Sequence, residues 1–291
     1  MTWDFPDEVV SERRGCPCPG LACCCMTASL DFDTHLARES ARFAKALRAA
    51  PPDARVPTCP DWDVDDLLWH LAKVQAFWAT IVRDKIIDVA QAEQVDAVRP
   101  DDRSGLFAYF DRSSRGLQTV LAATRDDGTP AWTWSTDQTV GFIRRRQAHE
   151  ALIHRLDAEL TAGLRTPMDP ALCADGVVEV LGVMYGGAPP WGTFAPVDGR
   201  TVQLAATDTG DSWLVALGRF TGIDPADDAA VDESDIRVLD RDSGDVAARI
   251  SGTAADLDCW LWHRPTLRPI ERTGDTNVLA EFSAVVASPI N

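Results

Sequence analysis

The chain carries only five histidines in 291 residues, and two of them share one short string, His149-Glu150-Ala151-Leu152-Ile153-His154-Arg155-Leu156-Asp157. Imidazole and carboxylate are the side chains that hold a catalytic divalent ion, so the question is which of them point the same way. On a helix turning 100° per residue, Glu150 and His154 lie about 40° apart, whereas His149 and His154 diverge by about 140°. Glu150 and His154 can therefore share an ion, and His149 reads as a packing or capping residue. The spacing also excludes the H-E-x-x-H pattern of zinc proteases, which needs histidines four apart and a glutamate directed at water. A third ligand has to come from another helix. His70, among Leu67, Leu68, Val74 and Phe77, suits that role, since facing helices of a bundle commonly build metal sites. Two imidazoles and one carboxylate leave coordination positions open, the mark of a catalytic ion; zinc is the first expectation, although iron, manganese and nickel accept the same donors. A plainer reading uses the same residues: a glutamate four residues before a histidine is common on helices, and a lone histidine on an apolar face is usually part of the core. Spacing alone leaves both readings open.

Other polar groups lie close by. Asp157 falls about 20° from Glu150 around the helix and could orient a ligand or pair with a base such as Arg155. Arg144, Arg145 and Arg146 form a basic run that could meet substrate carboxylates, but Arg146 stands four residues before Glu150, and a surface charge ladder is the commoner arrangement. Trp62, Trp69, Trp78 and Trp134 read as core, with a pocket wall as the alternative.

These residues need a scaffold, and the sequence supplies one. Helical periodicity runs from Asp31 to Ala50, with Leu36, Phe43 and Leu47 on one face and Pro51 and Pro52 as the stop. Pro51 to Trp62 reads as a loop; Asp63, with Asp66 three residues on, then caps a second helix to about Asp84. A third covers Gly105 to Thr124, and the fourth, Val140 to Ala162, stops at Gly163. Leu172 to Tyr185 reads as a fifth. The breaker-rich segment Gly186 to Gly192 then marks a domain boundary, and short alternating runs at Val202–Ala206, Trp213–Leu217, Ile236–Leu239 and Val246–Ile250 read as strands, with a helix from Thr253 to Trp262 packed on them. The expected organisation is an extension over 1–29, an all-α four-helix bundle over 30–187 and a small α+β domain over 188–291.

Composition narrows the partners. A net charge of −17 repels phosphate backbones and argues against nucleic acid. No apolar run spans a bilayer and residues 1–25 do not resemble a signal peptide, so the expectation is a cytoplasmic protein with no membrane partner. Of eight cysteines, Cys16, Cys18, Cys23, Cys24 and Cys25 crowd together without the paired spacing of a zinc site, and the set is not a disulfide framework. The absence of any period before Met26 makes that residue the expected natural start.

Three stretches resemble one known family. Val56-Pro57-Thr58-Cys59-Pro60-Asp61-Trp62 through Leu67-Leu68-Trp69-His70-Leu71 resembles the C-P-x-W-x-V-x-D-L-x-x-H-L signature of the mycothiol-dependent maleylpyruvate isomerase family. His149 to Asp157 resembles that family's H-E-x-x-x-H-R-x-D motif, and Ser251 to Arg264 resembles its C-terminal G-x-x-x-D-L-x-x-W-L-x-G-R segment, with His263 standing where glycine is usual. The resemblance implies a DinB-like bundle holding a divalent metal at His70, Glu150 and His154, a sterol-carrier-like C-terminal domain, and Arg264 as an active-site arginine. It also implies mycothiol, the low-molecular-weight thiol of actinobacteria, as cosubstrate with a small-molecule electrophile. The expected activity is isomerase or S-transferase, the ion activating a thiol; the alternatives are a metal-assisted hydrolase and a non-catalytic thiol- or metal-binding module.

Overall fold

Residues 30–239, 246–288 and 290 are described by a computed structural model; the expected N-terminal extension, its five cysteines and Met26 lie outside them. The chain is multi-domain, with a helical N-terminal part and a C-terminal part built on a mixed sheet.

Each helix starts where a short polar side chain satisfies its first backbone amides. Helix α1 (Phe32–Ala49) begins at Asp31, whose carboxylate accepts from the Thr34 amide. Helix α2 (Val64–Asp84) carries the capping box expected of Asp63 and Asp66 and ends on Lys85 in the left-handed conformation. After a short α3 (Val89–Ala92), α4 (Arg103–Ala123) starts at Asp102, and α5 (Val140–Thr161) starts at Thr139. Helix α1 packs along α5 and α2 along α4, so the four long helices lie side by side. The 51–62 segment is a correction. It is no loop but a two-stranded ribbon, β1 (Arg55–Val56) paired with β2 (Cys59–Asp63), which the prolines had hidden: Pro57 lies in the turn, and Pro60 lies in β2 between the paired positions Cys59 and Asp63, where the register shifts.

Helix α5 is buried on nearly every side, including Arg146, Gln147, His149, Glu150, His154, Arg155 and Asp157. A polar helix in that position is tenable only if its charges are paired within the protein. They are: Arg155, fully buried, donates to Glu39 at 2.8 Å and to Glu159 at 2.9 Å. The arginine run is likewise no surface ladder. Arg144 binds Asp33 and Asp127, Arg145 binds Asp175, and Arg146 binds Glu150 and Glu179.

The expected fifth helix divides into α6 (Pro170–Glu179) and a π-helical segment, Val180–Tyr185. The wider turn leaves the Tyr185 hydroxyl donating to the Val286 carbonyl at 2.8 Å. The strands β3 (Gly192–Ala206), β4 (Ser212–Ile223), β5 (Ala230–Leu239), β6 (Ala248–Gly252) and β7 (Glu271–Gly274) form one sheet in the order β5-β4-β3-β6-β7. Among the described strands of this sheet only the β3–β6 pair is parallel. The alternating residues Val202, Leu204 and Ala206 face the core, as the period-2 pattern requires. Helix α7 (Ala254–Leu261) follows β6 and packs chiefly on α6; α8 (Thr276–Val285) covers the sheet. A Cβ on Gly176 of α6 would stand 2.9 Å from an oxygen of Asp258 in α7, so the two helices meet this closely only because that position is glycine. A continuous core runs from Ile143, Leu152 and Leu156 of α5 through Leu172 and Val177 of α6 to Val202, Leu217 and Ile250 of the sheet. Among the described residues no helix is long and apolar enough to cross a membrane.

Candidate metal and thiol site

Helices α2 and α5 bring His70, Glu150 and His154 together. One ligand atom from each lies within 4.8 Å of the others. The Glu150 Oε1 atom is the hub, 3.1 Å from His70 Nε2 and 3.1 Å from His154 Nε2. His149 turns away from the cluster, as its angular position requires, its Nε2 2.8 Å from Asp175 and its ring edge-on to Phe32. His35 lies on α1, 2.8 Å from Arg38.

Around the three residues stands a layer of charge. The His154 Nδ1 atom is 2.9 Å from Asp157 Oδ2, which fixes the ring so that Nε2 faces Glu150. Asp157 in turn accepts from Arg264 Nε at 3.0 Å, from Arg264 Nη2 at 2.7 Å and from the Thr58 hydroxyl at 2.6 Å. Thr58 sits in the turn of the β1–β2 ribbon and Arg264 just beyond α7, so both parts of the chain converge on one aspartate. Glu150 Oε2 is held by Arg146, which reaches Glu179 of α6 at 2.5 Å and lies 5.2 Å from the Trp262 ring. The other wall of His70 is Trp62 of β2, ring centroids 4.9 Å apart.

Burial sets the baseline for these groups and the neighbours decide the outcome. Burial pushes His70 below the ordinary imidazole value, against the pull of Glu150. Burial alone would lower His154 too, but the Glu150 and Asp157 carboxylates overcome it and raise it to about 9. For Glu150 burial opposes ionisation, and Arg146 and His154 outweigh it and hold the carboxyl well below the usual range. Arg264 and His154 do the same for Asp157. The site is thus a place where carboxylates stay ionised and a positive charge is favoured.

The donor set fits a divalent ion. Bonds of roughly 2.0–2.1 Å in a tetrahedral arrangement put ligand atoms about 3.3 Å apart; the two separations from Glu150 are 3.1 Å, and all three ligand atoms lie within 4.8 Å of one another. A carboxylate on the far nitrogen of His154 is the usual support for a ligating imidazole. Of the three, His70 lines a cavity of about 760 Å³, which reaches the cluster from the His70 side.

Two family models match the sequence: the mycothiol maleylpyruvate isomerase N-terminal domain over residues 34–159 and the MDMPI C-terminal domain over residues 171–281. The chain belongs to the mycothiol-dependent maleylpyruvate isomerase family. The three residues singled out by spacing come from the first of these domains, and Arg264 from the second. No curated protein matches the chain in sequence. A crystal structure of a histidine-to-alanine mutant of the mycothiol-dependent maleylpyruvate isomerase aligns at 13% identity over 85% of this chain and 95% of that one, with a TM-score of 0.44. Family membership rests on the two domain models.

Sequence reasoning missed Thr58, Glu179 and the role of Arg146. Thr58 was hidden by the misread ribbon. The spacing of Arg146, four residues before Glu150, was visible, but a charge pair at that spacing looks the same on a surface helix and on a central one. For Asp157 both expected roles are partly met: it orients His154, and its basic partner is Arg264 rather than Arg155.

Proposed function

We propose that this member of the family is a metal-dependent enzyme that uses mycothiol, as an isomerase or S-transferase acting on a small electrophile. The reading is carried by one observation: two imidazoles and a carboxylate converge beside an open cavity, with His154 braced from behind by Asp157. A divalent ion, zinc first among the candidates, supplies when bound a lowered pKa to a thiol in contact with it, so that a nucleophile exists at neutral pH. The residues of this chain do the rest. His70, Glu150 and His154 would hold the ion. Asp157 keeps the His154 Nε2 lone pair turned inward, and Arg146 keeps Glu150 ionised and in place.

Arg264 touches Asp157, so we assign it to positioning: it neutralises Asp157 and ties the C-terminal part to the site. The glycine usual before this arginine is His263 here, and His263 has φ of 58°. A left-handed residue is what glycine tolerates best. The histidine keeps that conformation while its ring lies 2.7 Å from the Val286 carbonyl. The departure from the family pattern therefore leaves the turn that delivers Arg264 intact.

In the isomerase case the thiol sulfur bonds to one carbon of a conjugated double bond, the displaced electron pair moves toward the conjugated carbonyl, rotation follows about the resulting single bond, and the sulfur leaves with the pair returned. In the transferase case the adduct takes up a proton and is released. We read the side-by-side packing of α1, α2, α4 and α5 as support for a DinB-like four-helix bundle, and the C-terminal part as sterol-carrier-like. The test is turnover on a panel of conjugated carbonyl compounds and thiol adducts with the metal-loaded protein. The reading requires activity that depends on both mycothiol and the ion. Activity that persists without any thiol transfers the site to hydrolysis.

A further inference from the structure

The cavity beside His70 has two chemically distinct zones. Its wall is aromatic: Trp62, Trp69, Phe77, Trp78, Tyr109 and Trp134 all line it. Trp69 and Tyr109 pack with ring centroids 5.4 Å apart, and Phe77 and Trp78 at 4.9 Å, so the wall is braced rather than loose. Its rim is charged, and the charge is mostly negative. Asp61, Glu93 and Asp96 are exposed there with a single ammonium, Lys73. The other rim pair cancels, because Arg99 donates to Asp66 at 2.8 Å.

Arginine is the residue that grips carboxylates in pairs, and the arginine on the rim, Arg99, is already bound to Asp66. Arg146 is shared between Glu150 and Glu179, and Arg264 is bound to Asp157 through two nitrogens. Neither lines the cavity. A dicarboxylate entering here would pass Asp61, Glu93 and Asp96, lose its water against tryptophan and find Lys73 and an Arg99 already engaged by Asp66. A flat uncharged ring meets the reverse situation, with aromatic faces on several sides and nothing to desolvate.

We propose that the cavity beside His70 takes an uncharged electrophile built on a flat conjugated ring and turns dicarboxylates away. The proposal rests on the thiol reading above for its chemistry and on the cavity alone for its binding selectivity. It makes the aromatic wall the acceptor of the substrate ring, and Asp61, Glu93 and Asp96 the filter against anions.

Three naphthalene probes of one skeleton test it on the full chain by quenching of tryptophan fluorescence: naphthalene-2-carboxamide, naphthalene-2,6-dicarboxylate and 2-naphthylmethylammonium. The amide should bind at least about tenfold more tightly than the dianion, and the double reversal Glu93→Lys with Asp96→Lys should narrow that gap to about threefold or less. Trp69→Phe, which keeps a ring in the wall, should weaken the amide only slightly, and Trp69→Ala strongly. A dianion that binds as well as the amide, a cation that binds better, or a gap unmoved by charge reversal overturns the proposal. Repeating the titration on His154→Ala separates the two readings. Amide selectivity retained there and in the parent chain, with no thiol-dependent turnover in the parent, keeps the pocket and discards the reaction. Dianion selectivity with thiol-dependent turnover does the opposite.

Discussion

Two aspartates of this protein are equally sealed from water and differ in everything else. Asp157 of α5 is surrounded by His154, Arg264 and Thr58, all at hydrogen-bond distance. Asp258 of α7 lies between α6 and α7 with neither oxygen hydrogen-bonded. Partners outweigh burial in the first and hold its carboxyl well below the usual range. Burial, reinforced by the Glu179 carboxylate, pushes the second well above it, against the weaker pull of the Cys173 thiol and Arg146. Burial is therefore not what makes a carboxylate functional. The distinguishing feature is the partners around it, and only Asp157 stands between a candidate ligand and the other part of the chain.

The comparison breaks most visibly if Asp157 is truncated. Asp157→Ala leaves Arg264 and His154 without their shared counter-ion, a loss on the order of 3–5 kcal/mol for a buried pair, read by denaturant unfolding. An Asp157→Ala protein as stable as the parent would make the network ornamental. Arg264→Met should act on the ion more than on the fold: with Asp157 less firmly held, metal affinity falls by roughly 10- to 100-fold while one ion per chain is still bound at saturation. Chelator competition measures this, and unchanged affinity would remove Arg264 from the site.

The smallest effect sharpens the contrast from the other side. The folded-state pKa of Asp258 is raised, so the folded protein holds its proton more tightly than the unfolded chain, and stability falls as pH rises past the unfolded value of 3.8. Asp258→Asn removes that loss. It should stabilise the protein at neutral pH by an amount on the order of 1 kcal/mol, the scale of a buried polar group without partners, and the gain should vanish below about pH 4. For Asp157 the sign is opposite: its folded pKa is lowered, so its stabilisation is present above the unfolded value and is lost as pH falls toward the folded one. Melting curves of both asparagine variants across this range test the pair together.

The sequence made the helices and the three candidate ligands legible because both depend on local periodicity. Capping residues and apolar spacing marked α1, α2, α4 and α5 to within a few residues. The angular positions of Glu150 and His154 followed from helix geometry alone. What depended on contacts distant in the chain was not legible. The Thr58–Asp157 bond spans 99 residues and Arg264–Asp157 spans 107, and no local pattern encodes either. The β1–β2 ribbon was lost because proline near a strand reads as a breaker, and the burial of Arg144 to Arg146 because charge on a helix reads as surface. The β7 strand and α8 went unread: all four β7 residues are exposed, so no alternation marks them.

The proposed chemistry depends on His70, Glu150 and His154 holding one ion. Elemental analysis of dialysed protein tests it most directly, applied to the parent chain and to single alanine variants of five histidine and glutamate positions. About one divalent ion per chain is expected in the parent, in His149→Ala and in His35→Ala, and none held through dialysis in His70→Ala, Glu150→Ala or His154→Ala. A full complement of metal in any of the last three would contradict it.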